Sequence, residues 1–283
     1  MKDHRLTKGP PGGTATAPED LSPERRAYLA ALRRDRRRLV LCRAGVLVGF
    51  VLLWELAARV GWIDSFIMSS PSRILATFEE LRENQILTHM AVTLYETLTG
   101  FCLGAFGGLG LAVLLWQSDF VSRVAEPYLV VLNSLPKIAL GPVIIIWVGA
   151  GTEAIIVMAV AISMIVTVLE MLEGFHTTDP ELLRMAGAFG AGRWQLFTKI
   201  VFPANLPALF NSLKINIGLS LVGVIAGEFL VSKAGLGYLI VYGGQVFQLD
   251  LVMAGVVILA LMAVALYGCI TLAERAVLRR RGR

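Results

Sequence analysis

The sequence predicts an all-α membrane protein that crosses the bilayer about six times. Hydrophobic residues make up 56% of its 283 positions and charged residues only 17%, which is too apolar for an ordinary soluble domain. The mean hydropathy is +0.69. The apolar residues are also gathered into runs of about twenty, the length that a helix needs to cross a hydrocarbon core of about 30 Å.

Six apolar runs are long enough to be spans. They lie at about 39–60, 91–116, 129–149, 153–173, 210–231 and 250–273. Only Ala-Gly-Thr-Glu separates the third run from the fourth, so these two could form one broken hairpin. Pro136 and Pro142 fall inside the third run. We expect them to interrupt its helix, because proline has no N–H and frees backbone groups that need a polar lining.

Lysine and arginine are distributed unevenly between the runs. If the amino terminus is in the cytoplasm, nineteen of the lysines and arginines outside the runs lie on the cytoplasmic side and three on the outer side. Cytoplasmic loops retain basic residues, so both termini are predicted to be cytoplasmic. The predicted organisation is a basic, partly disordered tail at 1–38, the first span and an outer amphipathic helix at 39–88, a helical core at 89–273, and a basic tail at 274–283.

Several function classes are excluded by what the sequence lacks. The net charge of +5 comes from basic clusters that abut apolar runs, which indicates topology signals and no nucleic-acid partner. The three cysteines and three histidines are scattered, so no metal site is predicted. No Gly-rich phosphate loop and no hydrolase signature occurs. We therefore expect no catalytic residues, no cofactor and no enzyme activity in this chain.

Glycines recur at helical spacing in two of the runs. Gly100, Gly104 and Gly108 are four residues apart in the second run, and Gly223 and Gly227 are four apart in the fifth. Such stripes let another helix approach closely. Packing within one subunit is favoured over a seam between two subunits.

The segment 177–209, between the fourth and fifth runs, is too polar to span the membrane and falls on the predicted cytoplasmic side. We name it the 177–209 loop. Asp179 can cap a helix, and Pro180 suits the first helical position. Three apolar residues then share one face of the predicted helix: Leu182, Ala186 and Phe189.

The second half of the 177–209 loop predicts a turn and another short helix. Gly190 and Gly192 break the first helix, since glycine takes the positive φ that a sharp turn demands. The following helix carries three apolar residues on one face: Trp194, Phe197 and Val201. Pro203 and Pro207 are expected to end it. A helix-turn-helix unit with an apolar face is typical of a docking site for a partner.

The stretch RMAGAFGAGRWQLFTKIVFP resembles a motif of the permease subunits of bacterial ABC importers. That motif is Glu-Ala-Ala, three residues, Gly, nine residues, Ile, any residue, Leu-Pro. Ala186, Gly190, Ile200 and Pro203 match it in register. Phe202 stands for the leucine, while Arg184 and Met185 replace the glutamate and the first alanine. In the family this loop docks on the ATPase, so the resemblance implies a coupling role for Leu182, Ala186, Phe189, Gly190, Trp194, Phe197, Ile200 and Pro203.

The resemblance extends from about Trp54 to Tyr267, through phrases such as LNSLPKIALGPVIIIWVGAGTEA and GEFLVSKAGLGYLIVYGGQVF. It implies the type I ABC importer permease fold in a bacterial inner membrane. It also implies three protein partners besides membrane lipid: a cytoplasmic ATPase dimer, a second permease copy and an extracytoplasmic solute-binding protein. The branch that it resembles imports aliphatic sulfonates, with nitrate, taurine, bicarbonate and thiamine-pyrimidine precursors as alternative substrates.

Four polar residues are candidates for a translocation path. Asn133, Ser134 and Lys137 surround the predicted break at Pro136, although Lys137 could equally extend to the inner interface. Glu228 is the fourth, as a carboxyl group within a span. Intramembrane ionisable residues also leave a second function class open, an ion-coupled secondary transporter. The lack of an internal repeat between the two halves favours the ABC permease.

Overall fold

The computed structural model describes residues 23–83 and 86–279, and every regular element in these ranges is a helix. The chain divides after Val60 into two compact units. The described part of the first unit is one long helix, α1 (Pro23–Val60). The second unit contains all the helices that follow. The predicted all-α class is therefore confirmed over the described residues.

Five helices have the length and hydropathy to cross a membrane. They are α1, α4 (Ile86–Trp116), α7 (Thr152–His176), α11 (Leu206–Val231) and α13 (Leu249–Arg279). Each contains one of the predicted apolar runs, which confirms five of the six spans as single helices. A run of about twenty apolar residues favours a helix because the bilayer offers no partner for an unpaired backbone group.

The two basic tails are partly helical. The helix α1 begins at Pro23, so residues 23–38, which were predicted to be part of the tail, already belong to this helix. At the other end α13 continues to Arg279, well beyond the predicted span boundary at 273. The predictions for residues 1–22 and 280–283 lie outside the described residues.

The third predicted span is not a single helix. It consists of α5 (Asp119–Ser134), a 3-10 turn (Lys137–Leu140) and α6 (Gly141–Val148), with an 83° bend between the two halves. Leu135 is extended, at φ −66° and ψ 140°, because the ring of Pro136 disfavours a helical residue before it. Pro142 does not interrupt the helix as expected, since it stands in the first turn of α6, where the N–H that proline lacks would have no partner in the helix.

The helices α4 and α11 both pack closely against α7. A Cβ atom at Gly100 would lie 2.6 Å from the Cβ of Ala159, and one at Gly108 would lie 2.6 Å from the Cβ of Thr167. From α11, a Cβ at Gly223 would lie 2.7 Å from the Cα of Ala159. These glycines therefore serve packing within the chain, as the sequence favoured.

Three short helices pack against α13. They are α2 (Ser65–Met68), α3 (Pro71–Glu83) and α12 (Leu236–Gln245). The predicted amphipathic helix is α3, and its Arg73 forms a 2.6 Å ion pair with Asp250 at the start of α13. The sequence did not predict α12, which packs on α4, α11 and α13.

Candidate functional site

The 177–209 loop begins with a helix whose start is fixed locally. The helix α8 (Pro180–Ala188) is capped by Asp179, whose carboxylate oxygen accepts the Glu181 N–H at 2.8 Å. Pro180 occupies the first turn, where its missing N–H leaves no carbonyl unpaired. The predicted helix start is confirmed.

The turn after α8 depends on Gly190. Its φ is +82°, in the left-handed region that favours glycine. The Ala191 N–H donates to the Ala186 carbonyl at 3.1 Å, and the Gly190 N–H donates to the Gly187 carbonyl at 2.9 Å. These bonds close the last turn of α8, as expected for a glycine just past a helix end.

The second half of the 177–209 loop is helical as far as Ala204. It comprises α9 (Arg193–Leu196), a π-helical turn (Phe197–Val201) and α10 (Phe202–Ala204). Pro203 and Pro207 were expected to end this helix before the next span, and it does end between them, at Ala204, with a turn at Asn205 before α11 (Leu206–Val231) begins. Both lie in the first turn of a helical segment, α10 or α11. Because a first-turn residue needs no N–H partner, each proline is accommodated inside its own segment, with one wide turn before Pro203. The break between the two segments lies at Asn205, at φ −93° and ψ 8°.

Apolar side chains project from this loop into the surroundings. Phe189 is 85% exposed and Trp194 is 61% exposed, and Leu182 and Met185 are exposed as well. Ala186, Ile200 and Pro203 are half-buried. An exposed cluster of large apolar residues marks an interaction surface more often than a solvated one.

Phe197 has a different environment from the other predicted coupling residues. It is only 4% exposed and packs in a core cluster with Trp116 and Phe175, at ring-centroid distances of 5.3 and 5.2 Å. It cannot itself contact a partner. The Trp194 ring stacks on the Phe197 ring with their centroids 5.7 Å apart, so the buried Phe197 holds the exposed Trp194 ring in place.

An apolar groove of about 630 Å³ runs beside this surface. Its lining includes residues of α8, the π-helical turn, α11 and the end of α13: Leu182, Met185, Ile200, Pro203, Pro207 and Leu278. Lys199 adds a positive charge to the lining. Leu278 was not among the predicted site residues, because nothing in its local pattern indicates that the end of α13 returns to the 177–209 loop.

Arg193 ties the loop to the junction of α4 and α5. Its guanidinium donates to Asp119 at 2.6 Å and to the Trp116 carbonyl at 3.3 Å, and it lies 5.6 Å from the centre of the Trp116 ring. In the sequence, Arg193 is only one of the nineteen basic residues that indicate topology. Its partners are more than seventy positions away, so no spacing rule could identify them.

Three of the four predicted path residues meet at the bend after α5. The Lys137 ammonium donates to the Asn133 carbonyl at 2.9 Å and to its side-chain oxygen at 3.2 Å. Ser134 donates to the Val130 carbonyl and, like Asn133, is exposed. The Lys137 ammonium thus supplies a partner for the Asn133 carbonyl, which the end of α5 leaves without one in the helix.

Glu228 has other neighbours. It is 1% exposed within α11 and accepts hydrogen bonds from Thr93 and from the backbone of Gly237. A buried and fully engaged carboxylate does not line an open path. Within the described residues, no group of three or more side chains suited to a metal ion is found.

The chain is similar to known transport proteins. Residues 100–283 match the family described as "Binding-protein-dependent transport system inner membrane component". A protein of Haemophilus influenzae, named a probable ABC transporter permease protein, is 33% identical over 78% of this chain and 91% of its own length. The Escherichia coli protein named an aliphatic sulfonates transport permease, SsuC, is 28% identical over 76% of this chain and 82% of its own. RibX of Chloroflexus aurantiacus, named a riboflavin transport system permease protein, is 29% identical over 81% and 86%.

Solved structures show the same fold. A chain of the inward-facing MetNI methionine ABC transporter aligns with a TM-score of 0.58, at 21% identity, over 70% of this chain and 96% of its own. A chain of a bacterial ABC transporter that imports the acidic polysaccharide alginate aligns with a TM-score of 0.60, at 16% identity, over 87% and 99%. At these identities the likeness is one of fold.

Proposed function

Because the chain belongs to the family of binding-protein-dependent transport system inner membrane components, we propose that its 177–209 loop couples it to a cytoplasmic ATPase. The chain is the permease component of an ABC importer for small solutes, and ATP is hydrolysed on a separate subunit. The resemblance seen in the sequence is thereby confirmed. The alternative class, an ion-coupled secondary transporter, is not retained.

The observation that supports the coupling role is the pairing of an exposed ring with a buried one. Trp194 and Phe189 are exposed, yet Trp194 rests on Phe197, which is anchored among Trp116 and Phe175. A partner that moves this face therefore pushes directly on the ends of α4 and α7. Apolar anchors held in place before docking lose little conformational freedom on binding.

The departures from the family motif leave this surface intact. Arg184, in place of the motif glutamate, is exposed on α8, and Met185 adds an apolar side chain to the groove. The coupling contact proposed for this chain is therefore mainly apolar, with a positive rim. It does not depend on the salt bridge that a glutamate at this position would form.

The transport cycle that we propose involves two permease copies around a central path. Each copy presents one 177–209 loop to one subunit of an ATPase dimer, and both termini are cytoplasmic. Opening and closing of the ATPases rocks the loops, which exposes the path to each side of the inner membrane in turn. An extracytoplasmic binding protein delivers the solute, and it carries most of the selectivity.

The proposed substrate is an aliphatic sulfonate. Relatives named for aliphatic sulfonate and taurine transport support this choice. Relatives named for riboflavin and formylaminopyrimidine transport support other small solutes as alternatives. The resemblance seen in the sequence adds nitrate, bicarbonate and thiamine-pyrimidine precursors. The polar bend at Asn133, Ser134 and Lys137 is the part of the chain that we propose meets the solute.

Growth on different sulfur sources tests the substrate. A strain lacking this permease should fail to grow on alkanesulfonates as sole sulfur source and should grow normally on sulfate. Reintroduction of the wild-type gene should restore growth. Normal growth of the deletion strain on alkanesulfonates would remove sulfonates as the substrate, and the same strain could then be tested on nitrate as sole nitrogen source.

A further inference from the structure

The first turn of α12 is capped by side chains from two other helices. A helix start leaves backbone N–H groups without partners in the helix. Here the Gly235 N–H donates to the His89 Nδ1 at 2.9 Å and the Leu236 N–H donates to the Thr93 hydroxyl oxygen at 2.8 Å. The Gly237 N–H donates to the Glu228 carboxylate at 2.5 Å. Three consecutive amides are thus held by α4 and α11.

The glycines of this turn make room for the carboxylate. Gly235 has a φ of +117°, and a Cβ atom added there would collide with the carboxyl group of Glu228. A Cβ at Gly237 would lie 2.7 Å from the Oε2 atom of Glu228. The sequence Gly-Leu-Gly opposite Glu228 is therefore explained by the close approach of a side chain to a helix start.

Both oxygens of Glu228 act as acceptors. Oε2 receives the Gly237 N–H, and Oε1 lies 2.6 Å from the Thr93 hydroxyl. Because the Thr93 oxygen already accepts from Leu236, its hydrogen is free to be donated to Glu228. A carboxylate at the positive end of a ten-residue helix is also stabilised by the helix dipole. These contacts fit an ionised Glu228.

Glu96 is a second buried carboxyl group in the same place. It lies on the face of α4 that carries His89 and Thr93, is 1% exposed, and neighbours Glu228 and Thr152. Among the described residues, neither Glu96 oxygen has a hydrogen bond of good geometry, although Thr152 and Glu228 lie nearby, and neither carboxyl group forms a salt bridge. Two adjacent buried carboxylates without a cation are strongly unfavourable, so one of the pair must be neutral.

We propose that Glu96 and Glu228 carry one negative charge between them, with the proton on Glu96, and that the ionised Glu228 is the positioning residue that fixes α12 to α4 and α11. His89 completes the cap as a neutral imidazole, since its Nδ1 accepts a hydrogen bond, and the ring of Tyr238 stacks on it at 6.0 Å. The consequence is mechanical: α4, α11 and α12 move as one body during transport.

Infrared spectroscopy of the purified complex tests the location of the proton. The spectrum should contain the carbonyl stretching band of a buried protonated carboxyl group. Glu96→Gln, which keeps a neutral side chain of the same shape, should remove this band and keep transport within about twofold of wild type, since the cap is intact. Glu228→Gln should keep a protonated Glu96 and reduce transport by on the order of tenfold, because buried donors lose a charged acceptor.

Glu153→Gln is the matched control, because Glu153 is an exposed carboxyl group in the first turn of α7. It should change neither the band nor transport. If Glu228→Gln does not fold, Thr93→Val removes the donor to Glu228 by another route and should also reduce transport. Absence of the band in the wild type, its persistence in Glu96→Gln, or its loss in Glu228→Gln would overturn the proposal.

Discussion

Trp194 stacks on Phe197 with their ring centroids 5.7 Å apart, although one ring is mostly exposed and the other is buried. The two residues are three positions apart and belong to one continuous helical segment. The pair therefore joins a docking surface to the protein core through a single aromatic contact. Substitutions at the two positions should have different effects, and each can be measured.

Replacement of the exposed ring should affect coupling and leave folding unchanged. Trp194→Ala should keep the protein folded and inserted but lower ATPase co-purification and transport by on the order of tenfold, because loss of a large aromatic anchor costs roughly 2 kcal/mol or more. Trp62→Ala is the control, since Trp62 is also exposed but precedes α3, on the side predicted to face away from the cytoplasm. Undiminished co-purification and wild-type uptake in Trp194→Ala would contradict the coupling role.

Replacement of the buried ring should affect stability first. Phe197→Ala removes a side chain from the cluster with Trp116 and Phe175 and should lower the free energy of unfolding by about 3–5 kcal/mol. Thermal unfolding of the purified variant should show a clear drop in Tm, while Trp194→Ala remains close to wild type. Equal Tm values for the two variants would show that Phe197 has no supporting role.

The turn at Gly190 offers a matched pair of glycine substitutions. Neither Gly190 nor Gly187 has another atom within 4 Å of an added Cβ, but only Gly190 has a positive φ. Gly190→Ala should therefore cost on the order of 1 kcal/mol in backbone strain and reduce transport, and Gly190→Glu should reduce it further. Gly187→Ala lies in a helix and should be neutral in uptake assays. Similar losses at both positions would point to crowding instead of backbone conformation.

Arg193 should matter more for transmitting motion of the 177–209 loop than for the stability of the fold. Its ion pair with Asp119 is exposed, so Arg193→Ala should change the free energy of unfolding by less than about 1 kcal/mol. Transport should nevertheless fall several-fold while ATPase co-purification persists, because α9 loses its link to Trp116. Asp119→Ala should have a smaller effect, since Arg193 retains its contacts with Trp116. A larger loss in Asp119→Ala than in Arg193→Ala would contradict this order.

Lys214 and Glu274 form a 2.6 Å ion pair between α11 and α13, with both side chains mostly shielded. Lys214→Met should leave Glu274 without its partner and lower Tm, by the equivalent of about 1–3 kcal/mol. The exchange of the two charges, Lys214→Glu with Glu274→Lys, should recover most of the loss. Failure of the exchanged pair to recover any stability would show that the contact is incidental.

Local features of the fold and of the site were predictable from the sequence. Runs of apolar residues place five spans because the bilayer requires a continuous helix wherever the chain is apolar over its thickness. Asp179, Pro180 and Gly190 determine the start and end of α8, because helix caps depend on residues within one turn. The family motif, which is also local, identifies the same loop.

Other features depended on contacts between distant segments. Periodicity places Trp194 and Phe197 on one face, but only the packed core decides that Phe197 is covered and Trp194 is not. From the sequence, Glu228 was predicted to line the translocation path. In the fold it accepts a hydrogen bond from the start of α12 and lies beside a second carboxyl group instead. The composition of a segment determines which structure it adopts in a membrane. The partners of a buried polar group come from other helices, so only tertiary structure determines its charge and its role.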